Sequence, residues 1–389
     1  MDIATLANTF MPMGASITGF LIVSLHWYYE RHRDNNRPVR VLWFYFCCCM
    51  VNWSSVFIYF HVPNLFVVIN SLAMFTFIMV QVLFYKFLFL LTRTDPRERF
   101  SKLHFLTPVI ISLLLTILMT TTPFESQKLT VMGKGKYMGG SHLFFVVSNS
   151  KMAVRLIFSI VYTILCFIRL HRYRKRVENL SANYDKSSLH WMKTILLLSL
   201  SLIPVPLLGL LLPRDMAASS ALLTAHNAVI LFQYSFLCFH VIRNNFIIFD
   251  QEDADVNVDA DEPAECGYEE IAQDEEKSAT LLQTRKNSIT KEEFEDFIMT
   301  ERPFLDPDLR LFDLANLLNT NRTYLSSFIN SEYAINFNRL INRFRMRELE
   351  RLRKEGTNKT KTEKEMVEMV GFGSHRNFKR YEAQEDDWH

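Results

Sequence analysis

Residues 65 to 91 read LFVVINSLAMFTFIMVQVLFYKFLFLL, an apolar run that contains a single charged side chain, Lys86. A helix needs about 18 or more consecutive apolar residues to cross roughly 30 Å of hydrocarbon. A helix in the core of a water-soluble domain seldom needs a run of that length. The stretch therefore predicts a transmembrane helix.

Similar apolar blocks, rich in Phe and Leu, fill the sequence up to about residue 249, whereas the sequence from Asp250 onward is charged. The blocks and the polar breaks between them predict seven transmembrane helices. Their predicted ranges are 12 to 29, 41 to 60, 65 to 91, 104 to 121, 143 to 168, 191 to 212 and 220 to 242.

The loops between these spans alternate in charge. The first, third and fifth loops are rich in Arg and Lys, whereas the second has none, the sixth has only Arg214 and the longer fourth has three lysines. Short cytoplasmic loops collect Lys and Arg. The alternation predicts an amino terminus outside the membrane and places the sequence after Arg243 in the cytoplasm.

An acidic segment follows the last predicted span. Residues 250 to 277 contain thirteen Asp and Glu residues and one Lys. Such a segment cannot bury enough apolar surface to fold alone. We therefore predict a membrane domain at 1 to 249, a disordered acidic linker at 250 to 284 and a C-terminal domain at 285 to 389. The linker either tethers that domain away from the bilayer or serves only its solubility.

The C-terminal segment has apolar residues at helical spacing, which predicts three short helices. A break at Asn319 and Thr320 separates the second helix from the third, and Asn321 is placed to cap the third. A helix, a short turn and a helix with a small polar outer face fit the major groove of DNA. The apolar positions are Phe294, Phe297 and Ile298, then Leu311, Leu314, Ala315, Leu317 and Leu318, and then Leu325, Phe328 and Ile329.

Two longer motifs in this segment resemble the DNA-binding domain of the AraC/XylS family of bacterial regulators. The first, at 309 to 352, is LRLFDLANLLNTNRTYLSSFINSEYAINFNRLINRFRMRELERL, and the second, at 365 to 380, is EMVEMVGFGSHRNFKR. The first motif is similar to the family's first helix-turn-helix and linker helix, and the second to its Val-Gly-Phe signature. The matching residues are Ala315, Leu325, Phe337, Leu340, Arg345, Leu352, Val370, Gly371, Phe372, Ser374 and Phe378.

The resemblance implies two helix-turn-helix units, joined by a rigid helix near 337 to 353, that enter successive segments of the major groove. Carried over position by position, it implies DNA contacts by Arg322, Thr323, Ser326 and Ser327 in the first unit and by His375, Arg376, Lys379 and Arg380 in the second. Residues 320 to 364 contain eleven basic and five acidic side chains. We therefore expect salt-sensitive binding.

The sequence departs from the family pattern at two places. Ala334 stands where the family usually has a turn glycine, which costs about 1 kcal/mol if the backbone there needs a positive φ. After Arg380 the sequence reads YEAQEDDWH, where the family continues with a turn and a final helix. We therefore expect a truncated second unit, a first unit that reads most of the sequence, and a homodimer that compensates.

Ionisable residues inside predicted spans are candidate functional residues because their burial in a membrane is costly. Lys151 and Arg155 lie four residues apart in the fifth span and could receive an anionic ligand; alternatively, the span begins later and Lys151 reaches the interface. His226 and Asn227 in the seventh span form either a polar ligand seam or packing hydrogen bonds. Pro204 and Pro206 should kink the sixth span.

The predicted architecture is all-α: a polytopic seven-helix transmembrane bundle followed by an AraC-like domain. It suggests a one-component transcription regulator in the bacterial inner membrane. The expected partners are double-stranded DNA, the lipid bilayer, an unknown signal ligand and RNA polymerase. The alternatives are a membrane receptor or transporter whose degenerate C-terminal domain binds protein, and a regulator that the spans merely anchor. No catalytic motif, cofactor or metal site is predicted, so we do not expect an enzyme.

Overall fold

A computed structural model describes residues 3–30, 36–94, 98–177, 179–183, 188–201, 203–211, 216, 218, 220–243, 289–354 and 361–386. The predicted acidic linker lies outside these ranges. The chain forms two compact units. The first contains Met1–Arg174 and Leu189–Gln251, and the second contains Lys175–Ser188 and Glu252–His389.

The first unit is built from apolar helices. Its helices are α1 (Ile3–Glu30), α2 (Arg37–His61), α3 (Pro63–Leu91), α4 (Leu103–Thr121), α5 (Phe124–Met132), α6 (His142–Val177), α7 (His190–Ser201), α8 (Pro204–Leu211) and α9 (Ala221–Ile242). Among the described residues, six helices, α1 to α4, α6 and α9, are long and apolar enough to cross a membrane, which gives the chain the character of a membrane protein.

The predicted sixth span, 191 to 212, is divided into α7 and α8, and α8 begins at Pro204. Proline lacks the backbone N–H of a helical hydrogen bond and clashes with the preceding turn, so the break falls where a kink is expected. Neither half is long enough to cross a membrane alone, and the count of seven spans stays a prediction. The structure also places a short helix, α5, in the predicted fourth loop, where the sequence analysis placed none.

Polar side chains join α1 to α9 inside the first unit. The Asn227 Nδ2 atom donates to the Asn8 backbone oxygen at 2.7 Å, and the Thr224 hydroxyl donates to Asn8 Oδ1 at 2.9 Å. Asn8 in turn donates to the Ala218 carbonyl at 3.0 Å. Hydrogen bonds of this kind hold helices together where the hydrophobic effect does not. Asn227 therefore has the geometry of a packing residue.

The second unit is a small helical domain. Its helices are α10 (Lys291–Glu301), α11 (Leu311–Leu317), α12 (Arg322–Tyr333), α13 (Phe337–Lys354), α14 (Glu363–Met369) and α15 (His375–Asp386), with a 3₁₀ turn at Pro303–Leu305. In its described residues, the regular structure outside helices is one isolated antiparallel bridge between Ser181 and Arg310.

Side-chain caps fix where several of these helices begin. The Asn321 side chain accepts a hydrogen bond from the Tyr324 N–H at 2.7 Å, which confirms the predicted cap of α12. Thr290 and Thr362 form capping boxes with Glu293 and Glu365 at the starts of α10 and α14. The hydrogen bonds from these threonines lower the pKa of both carboxyl groups.

Two of the left-handed turns of the second unit bear on the expectations from the sequence. Ala334 ends α12 with φ 54°, so the strain expected from an alanine in a glycine position is present. Gly371 follows α14 with φ 91°, and a Cβ there would lie 2.4 Å from the Phe304 carbonyl oxygen. Both the turn and the close backbone approach therefore require glycine at 371.

Replacing Ala334 with glycine should stabilise the second unit. Glycine adopts a positive φ without the Cβ clash, so Ala334→Gly should raise the local free energy of unfolding of α12 and α13 by about 1 kcal/mol. Amide hydrogen exchange on the full-length chain measures this quantity. Ala383→Gly, in helix α15, is the matched control and should bring no gain. An equal gain from both substitutions would contradict the strain at Ala334.

Candidate nucleic-acid interface and membrane cavity

Two helical hairpins, α11 with α12 and α14 with α15, form the candidate nucleic-acid interface. The first hairpin buries Leu314, Leu325 and Ile329 in a core shared with α10 and α13. The second hairpin has its own core, in which α13 contributes Leu349 and Leu352. The remaining buried residues of that second core are Val367, Val370, Phe372, Phe378 and Tyr381. Long helix α13 therefore supports both hairpins.

The four residues predicted to contact DNA in the first hairpin lie on the first two turns of α12. Thr323 and Ser327 are exposed, and Arg322 and Ser326 are half-buried. Thr323 and Ser327 are four residues apart, as are Arg322 and Ser326, so the two members of each pair lie on one side of the helix. The capped end of α12 thus presents two hydroxyl groups and, beside them, a guanidinium group.

The corresponding residues of the second hairpin lie beside carboxylates and an amide. The Lys379 ammonium group lies 2.8 Å from a Glu382 oxygen, and His375 Nε2 lies 3.7 Å from Glu363. The hydrogen bond to Glu382 raises the pKa of Lys379. Arg380 donates to Asn377 Oδ1 at 2.9 Å, while Arg376 is exposed. A phosphate would have to compete with these carboxylates, although exposed ion pairs are weak.

The basic excess noted between residues 320 and 364 includes a stripe along α13 that the sequence analysis did not specify. Arg339, Arg343 and Arg347 are exposed and recur every four residues, so they form a stripe along one side of the helix. Their spacing in the sequence could have revealed the stripe, because the buried positions of α13 lie between them. Such a stripe is suited to phosphate, which positions a protein on DNA without reading its sequence.

Arg345, on the same helix, is fully buried and has a structural role. Its guanidinium group donates to backbone carbonyls in two separate segments of the second unit, and the side chain of Asn342, on the same helix, accepts a further bond. The acceptors are Phe304 O at 2.8 Å, Asp306 O at 2.7 Å, Ala182 O at 3.2 Å and Asn342 Oδ1 at 3.1 Å. Burial lowers the pKa of Arg345 to about 10, so the group remains charged at neutral pH.

Glu348 binds α13 to the end of α10. Its buried carboxylate accepts hydrogen bonds from Arg351, the shorter at 2.7 Å, and forms an ion pair with Arg302. The hydrogen bond from Arg351 lowers the pKa of Glu348, and Arg302 acts in the same direction. These arginines are thus occupied inside the domain.

A segment from the predicted fifth loop is built into the second unit. The Ala182 N–H donates to the Leu309 carbonyl at 3.0 Å, and the Leu311 N–H donates to the Leu180 carbonyl at 3.0 Å. Ala182 is fully buried in the core of the first hairpin. We name residues 179–183 the docked segment. It extends the second unit beyond the predicted range of 285 to 389, and no motif in the sequence indicated it.

Side chains of the domain hold the docked segment from the other side. The Asn338 amide donates to the carbonyls of Ser181 at 2.9 Å and Ala182 at 3.1 Å, and Asn183 donates to Asp308 at 3.0 Å. Helix α6, which begins at His142 in the first unit, ends at Val177, just before this segment. The longest helix of the first unit is therefore covalently continuous with a built-in part of the second.

Three of the four residues predicted to bind a ligand line one cavity in the first unit. Lys151 and Arg155 on α6 and His226 on α9 lie in its wall, whereas Asn227 does not. The cavity has a volume of about 320 Å³. No group of three or more His, Cys, Asp or Glu side chains that could hold a metal ion occurs in the described part of the chain.

Compared with protein-family models, with curated proteins and with solved structures, the chain matches none of them. Function is therefore inferred from the geometry of the chain itself.

Removing the Arg345 guanidinium should unfold the second unit selectively. Arg345→Met leaves buried carbonyls without a donor, and the loss of one partner from a buried charged network costs about 3 to 5 kcal/mol. The measurement is hydrogen exchange of α11 to α15 in the full-length chain. Arg343→Met, on the exposed face of the same helix, is the control and should change these amides little. Equal protection in both variants would refute the role of Arg345.

The docked segment should stabilise the isolated C-terminal domain when supplied in trans. A fragment of residues 285 to 389 lacks the hydrogen-bond partners that Leu180, Ser181, Ala182 and Asn183 supply. A synthetic peptide of residues 175 to 188 should therefore raise its melting temperature, measured by circular dichroism. A peptide carrying Ala182→Asp is the matched control and should have no effect, because it would bury a carboxylate. A fragment that melts identically with and without either peptide would contradict the docking.

Proposed function

We propose that the chain is a membrane-bound transcription regulator whose C-terminal domain binds double-stranded DNA in the cytoplasm. The observation that carries the proposal is the pair of helical hairpins supported by one helix, with a capped, polar outer helix in the first hairpin. A major groove accepts such a helix, and a second hairpin on the same supporting helix offers a second element for groove contact.

The distribution of charge supports the proposal. The Arg339, Arg343 and Arg347 stripe offers phosphate contacts, while Arg345, Arg302 and Arg351 are engaged within the domain. In the second hairpin, Lys379 and His375 lie beside carboxylates, whereas hydroxyl groups dominate the exposed start of α12. We therefore assign base reading mainly to the first hairpin and expect a homodimer to supply a second copy of it.

The docked segment suggests how a signal would reach DNA. Because α6 ends at Val177 and the docked segment begins at residue 179, a change in the packing of α6 would affect the core that contains Ala182 and the buried residues of α11. A linker that is disordered, as the sequence predicts, would not by itself pass on such a change. We therefore propose that control passes through α6 rather than through the linker.

DNA binding is best tested on the full-length chain, since the docked segment is part of the folded domain. The chain is reconstituted in lipid nanodiscs and used to select sites from a random double-stranded library, and binding is measured at about 50 and 200 mM salt. Specific binding should weaken steeply with salt, and Arg343→Gln should reduce the log-log salt slope by about 1. Lys136→Ala, which removes an exposed charge from the first unit, is the control and should leave the slope unchanged.

Paired substitutions distinguish the contributions of the two hairpins to DNA binding. Arg322→Ala with Ser326→Ala should lower the affinity for the selected site by about tenfold or more, a typical loss for good base contacts. Arg376→Ala with Arg380→Ala should lower it less. Equal losses would contradict the ranking of the hairpins. No selected site and no binding at 50 mM salt would overturn the proposal and favour the alternative, a membrane receptor or transporter whose C-terminal domain binds protein.

A further inference from the structure

Lys86 is a cation inside an apolar helix. It is the one charged residue of the run at 65 to 91, and it lies five residues before α3 ends at Leu91. It is not among the residues that line the cavity of the first unit. A charged side chain within a membrane-spanning helix is costly unless a partner stabilises it, so the surroundings of Lys86 indicate its function.

Lys86 contacts two aromatic rings and lies near a second cation. Its ammonium group is 4.8 Å from the centre of the Phe105 ring and 5.9 Å from the centre of the Phe100 ring. Arg40, near the start of α2, is close enough to repel the charge of Lys86. An aromatic ring attracts a cation but does not remove its charge. An anion at this position would therefore be stabilised.

Carboxylates do not neutralise this cluster in the described part of the chain. No described Asp or Glu side chain pairs with Lys86, with Arg40 or with Lys102, the residue that precedes α4. The loop between α3 and α4 does contribute Glu98, but that carboxylate forms an ion pair with Arg169 at 2.8 Å. The positive charge between the end of α3 and the start of α4 is thus suited to an anion supplied from outside the chain.

A shallow, open groove lies beside this cluster at the start of α4. Phe105 belongs both to the groove and to the surroundings of Lys86, so Lys86 lies at the edge of the groove. Apart from Ser101 and Lys102, the groove is apolar. We name it the α4 groove; its lining residues are Ser101, Lys102, Leu103, Phe105, Leu106 and Val109.

Exposed apolar side chains continue from the α4 groove along the helix. Leu106, Ile110, Leu113 and Ile117 recur every three or four residues, so they lie on one face of α4, and each is about half exposed. Positive charge at one end of a helix and an apolar face along its length match the two parts of an anionic phospholipid, the headgroup and an acyl chain.

We propose that the α4 groove binds an anionic phospholipid of the surrounding bilayer. The phosphate group pairs with Lys86 and Lys102, Arg40 adds to the positive potential, and one acyl chain lies along α4. Basic residues beside a membrane attract anionic lipids, whereas a zwitterionic lipid also brings a cation toward the cluster. The inference needs only the first unit and goes beyond DNA binding, so failure of one proposal does not affect the other.

The test measures lipid binding to the full-length chain in neutral detergent by native mass spectrometry. Phosphatidylglycerol and phosphatidylcholine with identical acyl chains are titrated separately. Phosphatidylglycerol should bind at least about fivefold more tightly, because each cation near the headgroup contributes about that much to the affinity for an anionic lipid. Equal affinities of the unmodified chain for the two lipids would overturn the proposal, whatever the variants do.

Charge variants locate the headgroup. Lys86→Met and Lys102→Met should each weaken phosphatidylglycerol binding about fivefold and leave phosphatidylcholine binding unchanged, whereas Lys86→Arg should retain both. Lys193→Met removes an exposed lysine near the start of α7 and is the matched control, which should bind as the unmodified chain does. Lys102 is exposed, so its variant tests the site even if Lys86→Met misfolds. Phosphatidylglycerol affinity that is unchanged in Lys102→Met would contradict the proposal.

Groove variants locate the acyl chain and identify the source of the phosphate. Leu106→Trp fills the α4 groove and should weaken phosphatidylglycerol binding, whereas Ile117→Trp, on the same face but outside the groove, should not. Glycerophosphoglycerol, the headgroup without acyl chains, should not displace the lipid. If it displaced phosphatidylglycerol as well as the lipid itself does, the ligand would be a soluble phosphate ester and the lipid site would be wrong. Equal affinities in the two tryptophan variants would also overturn the proposal.

Discussion

The second unit depends on one buried cation, the guanidinium group of Arg345. Its planar donors reach Phe304 and Asp306, which precede the first hairpin, and Ala182 in the docked segment. A lysine could not make this set of bonds, because its single ammonium group lacks the fixed fork of an arginine. Burying a charge is favourable only when its hydrogen bonds are satisfied. The position of the docked segment, the start of the first hairpin and the register of α13 are therefore coupled through a single side chain.

Different interactions specify the structures of the two units. In the first, the apolar helices have abundant hydrophobic surface, and polar contacts such as those between Asn8 and Asn227 specify which helices pair. In the second, the hydrophobic cores are small, and capping side chains, Arg345 and Glu348 supplement them. The same residue type consequently has different structural roles in the two units. A buried asparagine in the first unit selects a neighbouring helix, whereas Asn338 in the second unit holds a loop by its backbone.

The cationic residues also fall into three groups with different roles. Arg345, Arg302 and Arg351 act within the fold, the stripe on α13 faces outward, and Lys151 and Arg155 line a cavity of the first unit. A count of basic residues therefore overstates the positive charge available to a nucleic acid, because some of the basic side chains bind carbonyls and carboxylates within the domain. Helix α6 carries Lys151 and Arg155 and ends at Val177, two residues before the docked segment begins.

Local features of the molecule were determined by the sequence itself. Apolar runs long enough to cross a membrane, the Asn321 cap, the helix break at Pro204 and the positive φ of Ala334 and Gly371 all follow from residues close together in the chain, because they depend on backbone sterics and local hydrogen bonds. Tertiary structure alone decided the docked segment, the burial of Arg345 and the gathering of Lys151, Arg155 and His226 around one cavity. These join residues that lie tens to more than a hundred positions apart. These features arise from contacts between surfaces that are distant in the chain, and the helical periodicity of the sequence does not indicate such contacts.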